Sequence, residues 1–193
     1  MSWKMRAVAL PLAAASLIGT VMASAPLGGV GAQTVDVASS ALVVVATNPY
    51  PADSVAVGYT QRAKWTIDVL RDNRPMLTAC NHGNLSTDGG HTSDSYHYSG
   101  NAGDCYAGNT PGQKPGPIDT DQLQRAANFS VDNAGPLKVQ QVIWNNRIWT
   151  WPRRSEGWRD YGHACSGACS STEITLAHYD HVHVSIARPG DGR

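Results

Sequence analysis

The segment His178-Tyr179-Asp180-His181-Val182-His183, near the C-terminus, holds three of the chain's seven histidines. Its flanks are rich in apolar residues, so we predict a β-strand over residues 176–187. Residues two apart in a strand point to the same face, which brings His181 and His183 side by side. This spacing predicts a metal centre to which each histidine gives a ligand or a catalytic group. The alternative is a surface strand whose histidines bind nothing.

A second pair of candidate ligands, His97 and Asp104, lies in the segment 82–118. This segment is dense in Gly, Asn, Ser, Asp and Pro, and we predict a long functional loop. A mixed set of imidazole and carboxylate groups suits Zn²⁺. The small residues Gly100 and Ala102 between the pair are expected to let the backbone pass close behind a metal.

The first 32 residues have the pattern of a secretory signal peptide. Basic residues precede the apolar run 7–22, small residues precede a cleavage point after Ala32, and no later apolar run has the length of a membrane span. We therefore predict a protein that is secreted or associated with the cell wall. Its mature part is a leader or edge strand over 33–57 followed by one domain over 58–193.

The charge balance argues against two classes of partner. The chain has 15 Lys and Arg against 15 Asp and Glu, and such a balance gives no support for binding nucleic acid or a membrane surface.

The four cysteines predict two disulfides, because an exported chain meets an oxidising compartment. We favour the pairs Cys80–Cys105 and Cys165–Cys169, since each pair encloses one loop. The alternative is a zinc knuckle that includes His163.

Local patterns predict two helices. Apolar residues at spacings of three and four predict a helix over 60–72. Asp119 with Gln122 suggests a capping box that begins a second helix. The buried faces are expected to consist of Ala63, Ile67, Leu70, Leu123, Ala126 and Ala127.

A β-hairpin is predicted between the second helix and the histidine-rich segment. Two β-rich runs, 139–144 and 147–150, flank Asn145-Asn146, a pair that tolerates the positive φ of a tight turn. We predict an α+β domain in which this hairpin and the strand 176–187 form a small antiparallel sheet, with helices on one face.

Two motifs together resemble a known group of proteins. The spacing Ser-x-His-x-x-Gly-x-Ala-x-Asp over 95–104, followed by a late His-x-His, resembles the metallopeptidases that share a fold with D-Ala-D-Ala carboxypeptidases, murein endopeptidases and the hedgehog signalling domain. The resemblance implies a hedgehog/DD-peptidase-like fold and one Zn²⁺ held by His97, Asp104 and His183. The segments 142–149, 157–159 and 178–183 are similar to exported actinobacterial proteins predicted to have this fold. The resemblance covers about residues 58–188.

The same resemblance implies catalytic candidates near the last zinc ligand. His178 and His181 match the His-x-x-His-x-His spacing of the penicillin-insensitive murein endopeptidases. Carboxypeptidases of the group use a Glu as general base, and this chain has the shorter Asp180 at that position. Asp180 is therefore either the base or a partner that orients an imidazole, and His178 or His181 can act as the base instead. Glu173 is a further candidate.

The implied function is that of an exported zinc peptidase that hydrolyses amide bonds in peptidoglycan stem peptides, as a carboxypeptidase or an endopeptidase. Arg147 and Arg159 either bind a substrate carboxylate or are solvated. Trp158 and Tyr161 either line a cleft or pack in the core. One alternative is a non-catalytic zinc-containing module for cell-wall binding or signalling, and another is a structural zinc that pins the loop 82–118.

Overall fold

A computed structural model describes four ranges of the chain, which are residues 45–52, 55–56, 58–82 and 92–193. The predicted signal peptide, residues 1–32, and most of the predicted leader, residues 33–57, lie outside the described residues. No helix in the described ranges combines the length and apolar character that crossing a bilayer requires.

The α+β prediction is confirmed, with a larger sheet than expected. A two-stranded ribbon, β1–β2, precedes one antiparallel sheet of six strands in the order β3-β4-β8-β5-β6-β7. The elements in chain order are β1 Val55–Ala56, β2 Tyr59–Thr60, α1 Gln61–Asn73, β3 Ala79–His82, β4 Ala102–Tyr106, α2 Pro117–Asp132, α3 Ala134–Leu137, β5 Val139–Trp144, β6 Arg147–Thr150, a 3₁₀ helix Trp151–Glu156, β7 Arg159–Asp160, α4 Ser171–Leu176 and β8 Val182–Ile186.

The last strand of the chain occupies the middle of the sheet. β8 pairs antiparallel with β4 on one side and with β5 on the other. In this register Asp104 of β4 lies directly opposite His183 of β8. Opposite residues in an antiparallel pair direct their side chains to the same face. The pairing therefore brings together two predicted ligands that are far apart in sequence.

Helices α1 and α2 cover the opposite face of the sheet, where they form the core. The predicted buried faces of both helices are confirmed, because each of the six predicted residues is at most 1% exposed. A Cβ atom at Gly103 of β4 would lie 2.8 Å from Cδ1 of Ile67. Glycine is thus the residue that lets β4 pack this closely on α1. The sheet residues in this core include Cys105, Val142, Trp144, Val182 and Val184.

The hairpin of β5 and β6 is confirmed with the predicted turn. Asn145 and Asn146 have φ angles of 52° and 55°, the left-handed values of a two-residue turn. Their backbone N–H groups donate to the carbonyls of His178 and Ala177, each at 2.8 Å. The turn therefore also holds the backbone that leads into the histidine-rich segment.

The prediction of a continuous loop over 82–118 is wrong, because β4 lies inside it. The strand sequence Ala102-Gly103-Asp104-Cys105-Tyr106 is poor in residues with high β-propensity. Pairing with β3 and β8 on its two sides and the disulfide at Cys105 hold it in the sheet. Long-range contacts of this kind leave no periodic signal in a single sequence.

The predicted strand over 176–187 is correct only for its second half. β8 begins at Val182, and Leu176 is the last residue of α4. His178 follows in the left-handed conformation with a φ of 54°. This reversal ends the helix and turns the chain toward the sheet. His181 therefore precedes the strand.

The predicted capping box of α2 is wrong, and a different one is present. α2 begins at Pro117, whose fixed φ suits the first helical position, so Asp119 lies inside the first turn. The capping box in the structure joins Ser170 and Glu173 at the start of α4. This bond engages Glu173 at the surface and removes it as a candidate base.

Both predicted disulfides are confirmed, as Cys80–Cys105 and Cys165–Cys169. The first links β3 to β4 at directly opposite positions. The cysteines are therefore not part of a zinc knuckle with His163, since all four are consumed by disulfides.

Candidate metal centre

Three predicted ligands converge on the face of the sheet opposite the helices. His97 comes from the turn before β4, Asp104 from β4 and His183 from β8. The exposed fractions of the two histidines are 4% and 8%. These three residues form a group that can hold a metal ion, with their donor atoms within 4.8 Å of one another.

The donor atoms form a triangle of nearly equal sides. His97 Nε2 lies 3.1 Å from Asp104 Oδ1 and 3.0 Å from His183 Nδ1, and His183 Nδ1 lies 2.9 Å from Asp104 Oδ1. Ligand atoms about 2.1 Å from a tetrahedral zinc stand roughly 3.4 Å apart. Each side of the triangle is therefore a few tenths of an ångström shorter than the separation of ligand atoms around a tetrahedral zinc.

Ser185 gives His183 Nε2 a hydrogen-bond partner that is compatible with metal binding through Nδ1. The hydroxyl of Ser185 lies 2.7 Å from His183 Nε2 and is fully buried. When His183 Nε2–H donates to this hydroxyl, the lone pair of Nδ1 faces His97 and Asp104. Asp104 Oδ1 and His183 Nδ1 then carry no proton. A cation could accept a lone pair from each of these atoms and from His97 Nε2.

The turn that carries His97 is held by contacts at both ends. The hydroxyl of Ser95 accepts from the His97 N–H at 3.2 Å. Gly100 has a φ of 67° and donates its N–H to the carbonyl of His97. Gly100 thus has a role in the turn, and the expected close approach of the backbone to a metal stays a prediction. The hydroxyl of Tyr96 donates to Asp191 Oδ2 at 3.1 Å, which joins the turn to the C-terminal segment.

His181 lies beside the three ligands and is oriented by Asp180. His181 Nε2 lies 3.5 Å from Asp104 Oδ1, and Nδ1–H donates to Asp180 Oδ1 at 2.6 Å. The other oxygen of Asp180 accepts from the Gly112 N–H at 2.6 Å and from the Thr175 hydroxyl at 3.0 Å. With its side chain fully buried and both oxygens engaged, Asp180 fits the orienting role and not that of a base.

His178 forms the next ring along the same wall. Its ring centroid lies 4.6 Å from that of His181 and 5.6 Å from that of His183. Nδ1–H donates to the carbonyl of Leu176 at 3.0 Å, which leaves Nε2 as an acceptor. Burial lowers the pKa of His178 to about 3, so the ring is neutral at ordinary pH.

For Asp104 and His181, hydrogen bonds and charge pairing within the cluster outweigh the effect of burial on the pKa. Burial acts to raise the pKa of Asp104, but hydrogen bonds with His183 and His97 outweigh it and hold that pKa well below its usual value. Burial likewise acts to lower the pKa of His181, yet the bond to Asp180 and the charge of Asp104 raise it. For His183 burial prevails and the pKa is lowered. The centre therefore pairs an ionised carboxylate with imidazoles, the donor set that divalent metals take.

The ligands and the two neighbouring histidines lie in one cavity of about 450 Å³. This volume is within the range of small-molecule sites, roughly 300–1,000 Å³. Tyr161 and the exposed His163 form another part of the wall, with their ring centroids 4.6 Å apart. The remaining described residues of the wall are Asp94, Ser95, Tyr96, Gln141, Ile143, Thr175 and Leu176.

Of four other candidate residues from the sequence, one lines the cavity and three do not. Tyr161 lines the cavity, whereas Trp158 packs against the core. Arg147 stacks on the ring of Trp158 at 5.9 Å, and Arg159 donates to the Thr150 hydroxyl at 2.8 Å. Both arginines lie on β6 and β7, outside the cavity wall.

Three residues that support the site were missed in the sequence. Ser185 could have been predicted, because it follows His183 by two residues on β8 and therefore points to the same face. Gly112 and Thr175 reach Asp180 from separate segments, and no local pattern predicts such a meeting.

The chain belongs to the family described as VldE, C-terminal domain, whose model matches residues 62–171. The match includes His97 and Asp104 and ends before the segment 178–183. No curated protein and no solved structure matches the chain.

Proposed function

We propose that this chain is an exported zinc-dependent peptidase that hydrolyses amide bonds in the stem peptides of peptidoglycan. The observation that carries the proposal is the convergence of His97, Asp104 and His183 in a cavity beside His181 and His178. Three protein ligands would leave one position of a tetrahedral metal open, as in catalytic zinc sites and unlike closed structural ones. Structural zinc alone is therefore the weaker interpretation.

Zinc held by His97, Asp104 and His183 would supply a Lewis acid and would lower the pKa of a bound water toward ~7. Hydrolysis adds water across the amide: the water oxygen bonds to the carbonyl carbon, the C–N bond breaks, and a proton ends on the amine nitrogen. The chain must therefore provide a group that moves this proton within reach of the cluster.

His181 is the best-placed group for that role. Its Nδ1–H is fixed by Asp180, which leaves Nε2 directed toward the ligand cluster, 3.5 Å from Asp104 Oδ1. A fixed ring loses little freedom when it exchanges a proton or donates to an oxygen on which charge develops. His178 serves beside it as a neutral acceptor for a substrate N–H.

Export is supported by two features of different kinds. The first is the signal-peptide pattern of residues 1–32. The second is the pair of disulfides, which fit an oxidising compartment outside the cytosol. The peptidoglycan substrate rests on the resemblance of the two motifs.

A non-catalytic zinc-containing module for cell-wall binding or signalling is the second candidate. One observation favours it: the residue in place of the expected Glu base, Asp180, is buried and fully engaged by hydrogen bonds. In that case cell-wall fragments bind without being cleaved.

Cleavage of purified muropeptides separates the two candidates. We expect wild-type protein to release new amino groups, to lose this activity with a chelator and to regain it with added zinc. His181→Ala should lower kcat by about 100-fold or more while it keeps its zinc. His163→Ala, which removes an exposed imidazole from the same cavity, is the control and should retain most activity. Binding of muropeptides without cleavage by the zinc-loaded wild type would instead establish the second candidate.

A further inference from the structure

The charges of the cavity wall bear on which bond can be cleaved. Apart from the histidines, the charged side chains among the described residues of the wall are Asp94 and Asp104. Asp104 lies among the three metal ligands, and Asp94 is exposed on the turn that carries His97. The wall therefore presents carboxylates at two separate places.

The arginines that could bind a substrate carboxylate are engaged elsewhere. Arg147 and Arg159 were the candidates from the sequence, and they contact Trp158 and Thr150 on the β6–β7 side of the sheet.

Arg188 contacts two residues of the cavity wall, Tyr96 and Asp94. Its guanidinium lies 3.9 Å from the ring centroid of Tyr96, donates to the backbone carbonyl of Asp94 at 3.2 Å and approaches the carboxylate of Asp191 at 4.0 Å. These contacts engage its guanidinium with the turn and with Asp191, and Arg188 is not among the described residues of the wall. In the sequence, the segment 83–91 contains no Lys or Arg.

A carboxypeptidase must hold the free C-terminal carboxylate one residue beyond the bond it cleaves. Proteins bind carboxylates most often with arginine, through two parallel hydrogen bonds. A substrate carboxylate in this cavity would face the like charge of Asp94, and no Lys or Arg among the described residues of the wall would offset it. A metal ion at the three candidate ligands would act on the carbonyl of the scissile amide. Two of the neutral polar side chains of the wall, Gln141 and Tyr161, suit the N–H and C=O groups of a continuing peptide.

We infer that the cavity cleaves an internal amide, with peptide continuing on both sides, so that the chain is an endopeptidase and not a carboxypeptidase. This inference rests on the proposed function. It assigns Asp94 as a residue that determines specificity by excluding a terminal carboxylate.

Two synthetic stem peptides test the inference, identical except that one ends in a free carboxylate and the other in a primary amide after the residue that follows the scissile bond. With the full-length zinc-loaded protein we expect kcat/KM for the amide to equal or exceed that for the acid. Asp94→Arg should shift the acid-to-amide ratio by about tenfold in favour of the acid, because it places a guanidinium where the wild type has a carboxylate. Asp121→Arg, an exposed change on α2, is the control and should leave the ratio unchanged.

Binding provides a second readout that does not depend on turnover. Calorimetry with two phosphinate analogues of these peptides, one acidic and one amidated at the C-terminus, should give equal or tighter binding for the amidated analogue. Preference for the acid by tenfold or more, in cleavage or in binding, overturns the inference and leaves the peptidase proposal intact. Absence of both cleavage and binding by zinc-loaded protein overturns the proposed function itself, and the inference with it.

Discussion

The two faces of the central strands β4 and β8 have opposite characters. Toward the helices they present Gly103, Cys105, Val182 and Val184, which are small or apolar. Toward the cavity the same strands present Asp104, His183 and Ser185, and polar groups are costly to bury unless they are paired. The first face accounts for stability, whereas the second is difficult to explain by stability alone. We propose that the cavity face serves to bind a metal ion and a substrate.

The largest expected effect is on the helix face. Ile67→Ala removes a fully buried side chain that packs on Gly103, and such changes lower the free energy of unfolding by about 2–5 kcal/mol. Chemical denaturation measures the loss, and elemental analysis of the folded protein should show unchanged zinc. Ile118→Ala, at a residue 71% exposed, is the matched control and should have little effect. A folded Ile67→Ala protein without zinc would contradict this prediction, because it would show that packing on the helix face also determines zinc binding on the cavity face.

A smaller effect is expected from Asp180→Asn on the cavity face. The substitution removes the charge that orients His181 but keeps the shape, and losses of this kind typically cost 10–100-fold in activity. Steady-state cleavage of muropeptides should show a lower kcat with zinc content unchanged. Asp121→Asn, at an exposed carboxylate paired with Arg125 on α2, serves as the control. Unchanged kcat in Asp180→Asn would contradict the orienting role.

The smallest effect is expected from Ser185→Ala. It removes the hydroxyl 2.7 Å from His183 Nε2 and leaves the apolar core untouched. We expect zinc affinity, measured by competition with a chromophoric chelator, to weaken by about tenfold. Ser155→Ala, at an exposed serine of the 3₁₀ helix, should bind zinc like the wild type. Equal affinities in the two variants would mean that the hydrogen bond between Ser185 and His183 does not support zinc binding.

The helix face was largely predictable from the sequence, because it depends on local periodicity. The apolar spacing of Ala63, Ile67 and Leu70 gave α1, and the pair Asn145-Asn146 gave the hairpin turn. Both signals arise from residues close together in the chain. They need no knowledge of what packs against them.

On the cavity face, the candidate metal ligands were predictable from the sequence, but the residues that hold them in place through hydrogen bonds were not. His97, Asp104 and His183 carry recognisable spacings, and the structure brings them together. The contacts of Gly112 and Thr175 with Asp180 join segments that share no periodic pattern. The strand β4 was missed for the same reason, since pairing on both sides outweighs its weak β-propensity.

The most direct test of a metal centre on the cavity face is the zinc content of the purified protein and of two histidine variants. We predict about one zinc per wild-type chain, bound by two imidazoles and one carboxylate. His183→Ala should lose it while the circular dichroism spectrum stays that of a folded protein, and His163→Ala should keep it. A folded wild type that binds no zinc, or a His183→Ala protein that keeps it, would contradict the assignment of this site.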